Sequence, residues 1–305
     1  MAFLELTIPC SLEQFVRFEE ALEAAGALSV TMSDAHLDAV DEQAIFEPGV
    51  GETPLWNEMT LNALFDGSRS SEDVLASLNA ADASVDWSVG TFKIIADQDW
   101  ERAWMDQYEP LKFGLNTWIV PWNSELPAEA AVSSAAVVRL DPGLAFGSGT
   151  HPTTALCLEW LDTLASARAL QGERVLDFGC GSGILAIAAV KLGAVHAVGV
   201  DNDPQAIIAA RDNAERNEIS SFVDVYLPSE EPVETYPIVV ANILASALIE
   251  LAPTITSRVE AGGVLAMSGI LEGQEDEVIQ AYSAEFKDLK ATQLDDWMRV
   301  TGTRR

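Results

Sequence analysis

The chain has 305 residues, of which 49% are hydrophobic, with 48 acidic and 17 basic side chains and a net charge of −31. That length accommodates two domains with packed cores, and no apolar run is long enough to cross a bilayer as a helix. A surface this acidic repels phosphate backbones, and Cys10, Cys157 and Cys180 with three scattered histidines offer neither a disulfide framework nor a metal cluster, so nucleic-acid, membrane and metal functions are not expected.

Residues 1–96 read as a small α+β unit. "FLELTI" is a strand. In "SLEQFVRFEEALEAAGA" Ser11 and Gln14 have capping-box spacing, and Leu12, Phe15, Phe18, Leu22 and Ala25 share one helical face. "LSVTMS" is a second strand, followed by an acidic loop from Ala35 to Thr53. "LWNEMTLNALF" is a strand, "SSEDVLASLN" a serine-capped helix and "DWSVGTFKIIA" a last strand. The order β-α-β-β-α-β is the ferredoxin-like pattern, a fold with no chemistry of its own that often serves recognition. The unit holds 17 acidic and 3 basic residues. Its acidity, like that of the whole chain with 5 Lys against 12 Arg, suits a basic protein partner or a salty habitat.

Residues 97–114 form the expected connection. Trp100, Trp104 and Tyr108 recur every four residues, as an aromatic stripe on a linker helix ended by Pro110 and Gly114. From residue 115 to 305 strands and helices alternate. Expected strands are "TWIVPW", "AAVVRLDP", "RVLDF", "HAVGVD", "FVDVYL", "YPIVVAN" and "GGVLAMSG"; expected helices are 153–165, 183–193, 204–217, 245–258 and 272–284. Near-continuous apolar strands in this alternation predict an α/β fold: an open, doubly wound Rossmann-like sheet with its ligand at the carboxyl ends of the strands. "KDLKATQLDDWMRVTGTR" reads as an antiparallel edge pair.

"VLDFGCGSGILAIAAVKLGAVHAVGVDNDPQAI" carries the chemistry. Gly179, Gly181 and Gly183 allow a sharp turn and close ligand approach, and the amides of the following helix favour a carboxylate or phosphate. Asp201, 22 residues after Gly179, ends the next strand, where an acid can accept hydrogen bonds from both ribose hydroxyls. Gly181-Ser-Gly-Ile-Leu-Ala186 also fits the dinucleotide fingerprint. Asp177 points the other way. D-x-G-x-G-x-G is the form of the class I S-adenosylmethionine-dependent methyltransferases, and a carboxylate there can organise a cationic head but repels a pyrophosphate. Cys180 reads as a small filler in the loop.

"DPGLAFGSGTHPTT" (Asp141 to Thr154) and "VVANILA" (Val239 to Ala245), with "DWERAWMDQYEPLKFG" and the terminal "WMRVTGTR", narrow the resemblance. Over nearly the whole chain the sequence resembles the PrmA family, the ribosomal protein L11 methyltransferases. The resemblance implies a cytoplasmic enzyme using S-adenosylmethionine to methylate, up to trimethylation, the N-terminal α-amino group and lysine ε-amino groups of that basic ribosomal protein. It implies a substrate-holding N-terminal domain and a repositioning linker; a monomer is expected. It also implies cofactor contacts at Thr154, Gly179, Asp201 and Asn242, and Gly181 of the same glycine loop is expected to join them.

Asn242 is the expected catalytic residue, since its side-chain carbonyl can accept an N–H of the amine and aim the lone pair. Ile243, Leu244 and Ala245 stand where many amino-methyltransferases have two prolines and an aromatic, which suits a flexible aliphatic amine. Asn242 as a cap of the next helix, and Thr153 or Thr154 as caps of the helix at 153, remain structural alternatives. His151 before Pro152 is expected to be structural rather than a base, and Phe146 either walls the pocket or packs in the core. A methyltransferase for another protein or small amine, a nicotinamide-dependent oxidoreductase and a non-catalytic assembly factor are the competing classes.

Overall fold

A computed structural model describes residues 2–36, 55–95, 109–131, 135–140 and 151–305. The acidic loop beyond His36, the aromatic stripe of Trp100, Trp104 and Tyr108, and the stretch with Phe146, Gly147 and Gly149 lie outside the described residues. The chain divides into two compact units, Met1–Trp100 and Glu101–Arg305.

In the first unit strands β1 (Phe3–Ser11), β2 (Ser29–Asp34), β3 (Glu58–Asp66) and β4 (Thr91–Ile95) form one sheet in the order β2-β3-β1-β4. Its described pairings are all antiparallel. Helices α1 (Phe15–Ala24) and α2 (Ser71–Ala81) cover one face. Alternation explains which face: Leu4, Leu6 and Ile8 of β1 and Leu61, Ala63 and Phe65 of β3 are buried, against Phe18, Leu22, Val74 and Leu78 of the helices. This is the ferredoxin-like order. Ser70 caps α2 by accepting from the Asp73 N–H at 3.1 Å.

The second unit begins differently from expectation. Leu111–Phe113 is a strand, β5, where the end of a linker helix was expected. Pro110 lacks an N–H and pushes its predecessor out of the helical region, and Gly114 at φ +61° turns the chain into β6 (Thr117–Val120). Buried Asp162 holds that turn, accepting from the N–H groups of Leu115 and Asn116 at 2.8 and 2.9 Å and from the Thr117 hydroxyl at 2.9 Å. β7 (Ala136–Arg139) completes a three-stranded sheet with β5 and β6.

The main sheet has seven strands: β8 (Arg174–Phe178), β9 (His196–Val200), β10 (Val223–Tyr226), β11 (Tyr236–Asn242), β12 (Val259–Leu271), β13 (Phe286–Leu294) and β14 (Trp297–Arg304). Their order is β10-β9-β8-β11-β12-β14-β13. The first five are parallel, and β13 and β14 are antiparallel additions. The terminal pair is not wholly an edge, because β14 sits inside, between β12 and β13. Helices α3 (Pro152–Ser166), α4 (Ile184–Lys191) and α5 (Pro204–Arg216) pack on one face. Helices α6 (Ala245–Glu250), α7 (Ala252–Arg258) and α8 (Glu275–Tyr282) pack on the other. The expected helix 245–258 is broken at Leu251, just before Ala252 and Pro253.

β8 supplies one residue to each core in turn: Val175 to the α3–α5 side, Leu176 to the other. Asp177 therefore faces α4, fully buried. One carboxyl oxygen accepts from the Ala186 N–H at 3.1 Å, and the other has no partner. Loss of solvation pushes its pKa up from 3.8 to about 7. Unfolding exposes the group and restores the ordinary value. Its contribution to stability is therefore complete below pH 3.8 and is lost as pH rises to about 7. Asp177→Asn removes this titration. The melting temperature of the wild type minus that of the variant is expected to fall between pH 5 and 7 and to level off above; a pH-independent difference would show that Asp177 is ionised in the folded protein.

Candidate active site

The loop after β8 and the end of β11 meet closely. Gly179 has φ +79°, and a Cβ on it would lie 2.2 Å from Ile243 Cγ2. On the other side Gly269 of β12 has φ +85°, and a Cβ there would lie 2.3 Å from the Ile243 carbonyl oxygen. The backbone of Ile243 is tied by its N–H to the Ser268 carbonyl at 3.2 Å. Two missing side chains thus seat Ile243, and with it Asn242 at the tip of β11. Asn242 Nδ2 donates to Thr154 Oγ1 at 3.4 Å. Thr154 is fully buried in the first turn of α3. With Nδ2 engaged, Asn242 Oδ1 is the side-chain atom left to accept.

Asp201 follows β9. Its Oδ2 accepts from the Gly181 N–H at 2.8 Å and its Oδ1 from the Asp203 N–H at 3.0 Å. Each carboxylate oxygen keeps lone-pair capacity for a further donor, so the group is oriented and still able to receive a diol. The glycine loop is less of an amide cradle than the sequence suggests. The N–H groups of Gly179 and Cys180 go to the Val200 carbonyl, that of Gly183 to Cys180, and that of Ala186 to Asp177. What the loop offers is close approach rather than a row of free donors.

A cavity of about 730 Å³ opens over this arrangement, within the range of small-molecule sites. Thr154, Gly179, Gly181, Asp201 and Asn242 all line it. His151 and Trp297 line it on the Asn242 side, their rings edge to face with centroids 4.6 Å apart. Phe178, Ile243, Glu231 and Arg258 also contribute. Trp297 opens the terminal motif "WMRVTGTR" without having been singled out as a site residue, whereas Glu231 and Arg258 stand in no motif.

Several local expectations change. The cap of α3 is His151, whose Nδ1 accepts from the Thr153 N–H at 3.3 Å with Pro152 at the first helical position, so neither threonine caps. Partial burial lowers the His151 pKa, which keeps the ring neutral near pH 7. The N-cap position of α6 is Leu244, so Asn242 is not a cap. Asp177 lies beneath α4 and is not among the lining residues, so it cannot touch a ligand's cationic head; it supports the loop through Ala186. Cys180 is buried and its thiol pKa is raised by desolvation, as befits a filler.

The lining chemistry separates the two cofactor readings. Among the described lining residues, arginine and lysine are represented by Arg258 alone, and it is paired with Glu231 at 2.9 and 3.0 Å. Among the described lining residues a pyrophosphate would find no unpaired counter-charge. A nucleoside with a cationic sulfonium side arm needs none, and Asp201 suits its ribose.

A family model described as Ribosomal protein L11 methyltransferase (PrmA) matches residues 2–305. The ribosomal protein L11 methyltransferase of Stenotrophomonas maltophilia (strain K279a) is 63% identical over 305 residues, spanning 100% of both chains. That of Xylella fastidiosa (strain 9a5c) is 55% identical over 305 residues, again spanning 100% of both. A crystal structure of the ribosomal protein L11 methylase from Lactobacillus delbrueckii subsp. bulgaricus is 33% identical with a TM-score of 0.55, covering 65% of this chain and 100% of that one. With the fold, the glycine loop and the cavity already in place, the chain belongs to the PrmA family, the ribosomal protein L11 methyltransferases.

Proposed function

We propose that this chain, an S-adenosylmethionine-dependent methyltransferase by family, methylates ribosomal protein L11 at its N-terminal α-amino group and at lysine ε-amino groups, up to trimethylation. It acts in the cytoplasm as a monomer, without a nucleic-acid or membrane partner. The observation that carries the reading is the shared cavity. Gly179, Asp201, Thr154 and Asn242 meet around it, and its one described arginine is already paired.

In this reading Asp201 receives the ribose hydroxyls, Gly179 and Gly181 let the backbone approach the cofactor, and Thr154 holds Asn242. The bound cofactor supplies an electrophilic methyl group on sulfonium sulfur. The protein's task is alignment. Asn242 Oδ1 accepts an N–H of the incoming amine and turns the nitrogen lone pair toward the donor. A free lysine has a pKa near 10.4, so only about one in a few thousand is neutral at pH 7. Desolvation between Trp297, neutral His151 and Ile243 favours the neutral amine, and no strong base is required. Leu244 lines the mouth and is 54% exposed, an aliphatic surface suited to a lysine stem. The first unit, Met1–Trp100, holds the basic substrate. Its residues 1–96, with 17 acidic and 3 basic side chains, supply the complementary charge.

Four outcomes are expected. Purified enzyme with S-adenosylmethionine and the unmodified ribosomal proteins, followed by intact-protein mass spectrometry, gives methyl-sized mass gains on L11; gains on another protein instead would reassign the substrate. Asp201→Ala raises the dissociation constant for the cofactor about tenfold or more, the scale of a lost hydrogen bond to a charged group, as read by calorimetry; unchanged affinity in a folded variant would remove Asp201 from the site. Asn242→Ala lowers kcat on the order of 100-fold, the effect of losing one aligned polar contact, and affects cofactor affinity less. The reverse pattern would make Asn242 a cofactor ligand alone. Enzyme lacking residues 1–100 keeps cofactor binding and loses L11 methylation; full activity in the truncated form would place recognition in the second unit.

A further inference from the structure

The cavity does not stop at the carboxyl edge of the sheet. The connection from β10 to β11, residues 227–235, contains no helix. On the α6–α7 side a slot therefore runs down between this connection and the two helices. Ala247 of α6, Leu251 at the break between the helices, and Thr254 and Arg258 of α7 line it. At the end of the slot Arg258 meets Glu231. Arg258 Nε donates to Glu231 Oε1 at 3.0 Å and Nη2 to Oε2 at 2.9 Å. The side chains are only 11% and 2% exposed, yet both border the cavity. Helical side chains lean toward the helix N-terminus, so Arg258 reaches back up the slot.

Sheet order fixes what lies in front of this pair. Asn242 ends β11, Gly179 follows β8, Asp201 follows β9, and Pro228 and Glu231 follow β10. Adjacent strands are about 4.8 Å apart, so a ligand laid across these ends meets the groups in that sequence. If the reacting side arm lies at Asn242 and the ribose at Asp201, the group beyond the ribose lies at β10. For the cofactor read above, that group is the adenine base. Pro228, Ala247 and Leu251 give it apolar walls.

Resting on that placement, we propose that the Glu231–Arg258 pair reads the hydrogen-bonding edge of the adenine and makes the site selective for adenosine. Bidentate pairing uses two of five guanidinium N–H donors and two of about four carboxylate lone-pair sites. What is left is an acceptor and a donor side by side in a dry wall. The adenine edge presents the complement: the exocyclic amine donates and N1 accepts. A 6-oxopurine reverses both, setting its carbonyl against the carboxylate and its N1–H against the guanidinium. Charged groups that are already paired are well suited to this, since their desolvation is offset before the ligand arrives.

The test compares binding of S-adenosylhomocysteine with its inosine analogue, S-inosylhomocysteine, by calorimetry on the full-length protein. The wild type is expected to prefer the adenosine form by about tenfold or more, as for a lost hydrogen bond to a charged group. Glu231→Gln, and Arg258→Lys, which keeps the charge but loses the fork, bring the preference to within about threefold. Thermal melts establish folding of each variant. The wild-type measurement stands by itself if either variant fails to fold: equal affinity for the two ligands overturns the proposal. So does an undiminished preference in the folded variants, which leaves the pair a purely structural strut. Asp201→Ala, measured alongside, separates this failure from that of the cofactor placement. Loss of affinity there with an unchanged preference in the pair's variants sinks only the assignment of Glu231 and Arg258.

Discussion

The site depends on how closely two chain segments can approach. β8 and β11 are adjacent parallel strands, and the segments leaving their carboxyl ends would ordinarily be kept apart by side chains. Gly179 has none, and Ile243 fills the space a Cβ would occupy. Gly269 repeats the arrangement from β12. This grip sets the height of Asn242 at the end of β11 and lets its amide reach Thr154 on α3. Loop, strand tip and helix are positioned by a steric fit that costs no polar group.

The charges near the cavity are organised around the same economy. Asp177 is in the low-dielectric interior with one oxygen unpartnered, and desolvation favours its neutral form. It holds the first turn of α4 through the Ala186 N–H, and desolvation works against a full charge under the glycine loop. Asp201, by contrast, is oriented by two backbone N–H groups and borders the cavity. Two acids in one Rossmann-like motif, two positions apart in strand register, thus have different work. One braces the loop and one borders the cavity.

Much of this was legible in the sequence because it is written locally. "RVLDF" and "YPIVVAN" coincide with β8 and β11, since buried parallel strands are short apolar runs with abrupt ends. The five candidate site residues border one cavity because motifs at strand ends converge in a doubly wound sheet. What was not legible depends on distance. No local signal says that β14 enters the sheet beside β12, because the terminal hairpin can add by either strand. The linker helix expected before Pro110 lies outside the described residues, and the strand after Pro110 takes its identity from pairing with β6. His151 is an unusual cap, and its role emerges only with Pro152 at the first helical position. Glu231 and Arg258 stand 27 residues apart with no shared pattern.

That last pair also bears on why the chain keeps a helix-free crossover. A helix between β10 and β11 would cover the sheet face and bury more apolar surface. The short connection leaves a slot instead, and its end is closed by two charges. Stability alone does not explain the choice, because apolar residues of similar size often replace a buried ion pair without loss. An apolar plug would also tolerate any flat heterocycle, since a hydrophobic wall discriminates weakly between isosteres that differ in polar groups. A fixed donor beside a fixed acceptor does not. The slot and the pair therefore belong to one device: the missing helix makes room for a base, and the ion pair decides which base fits.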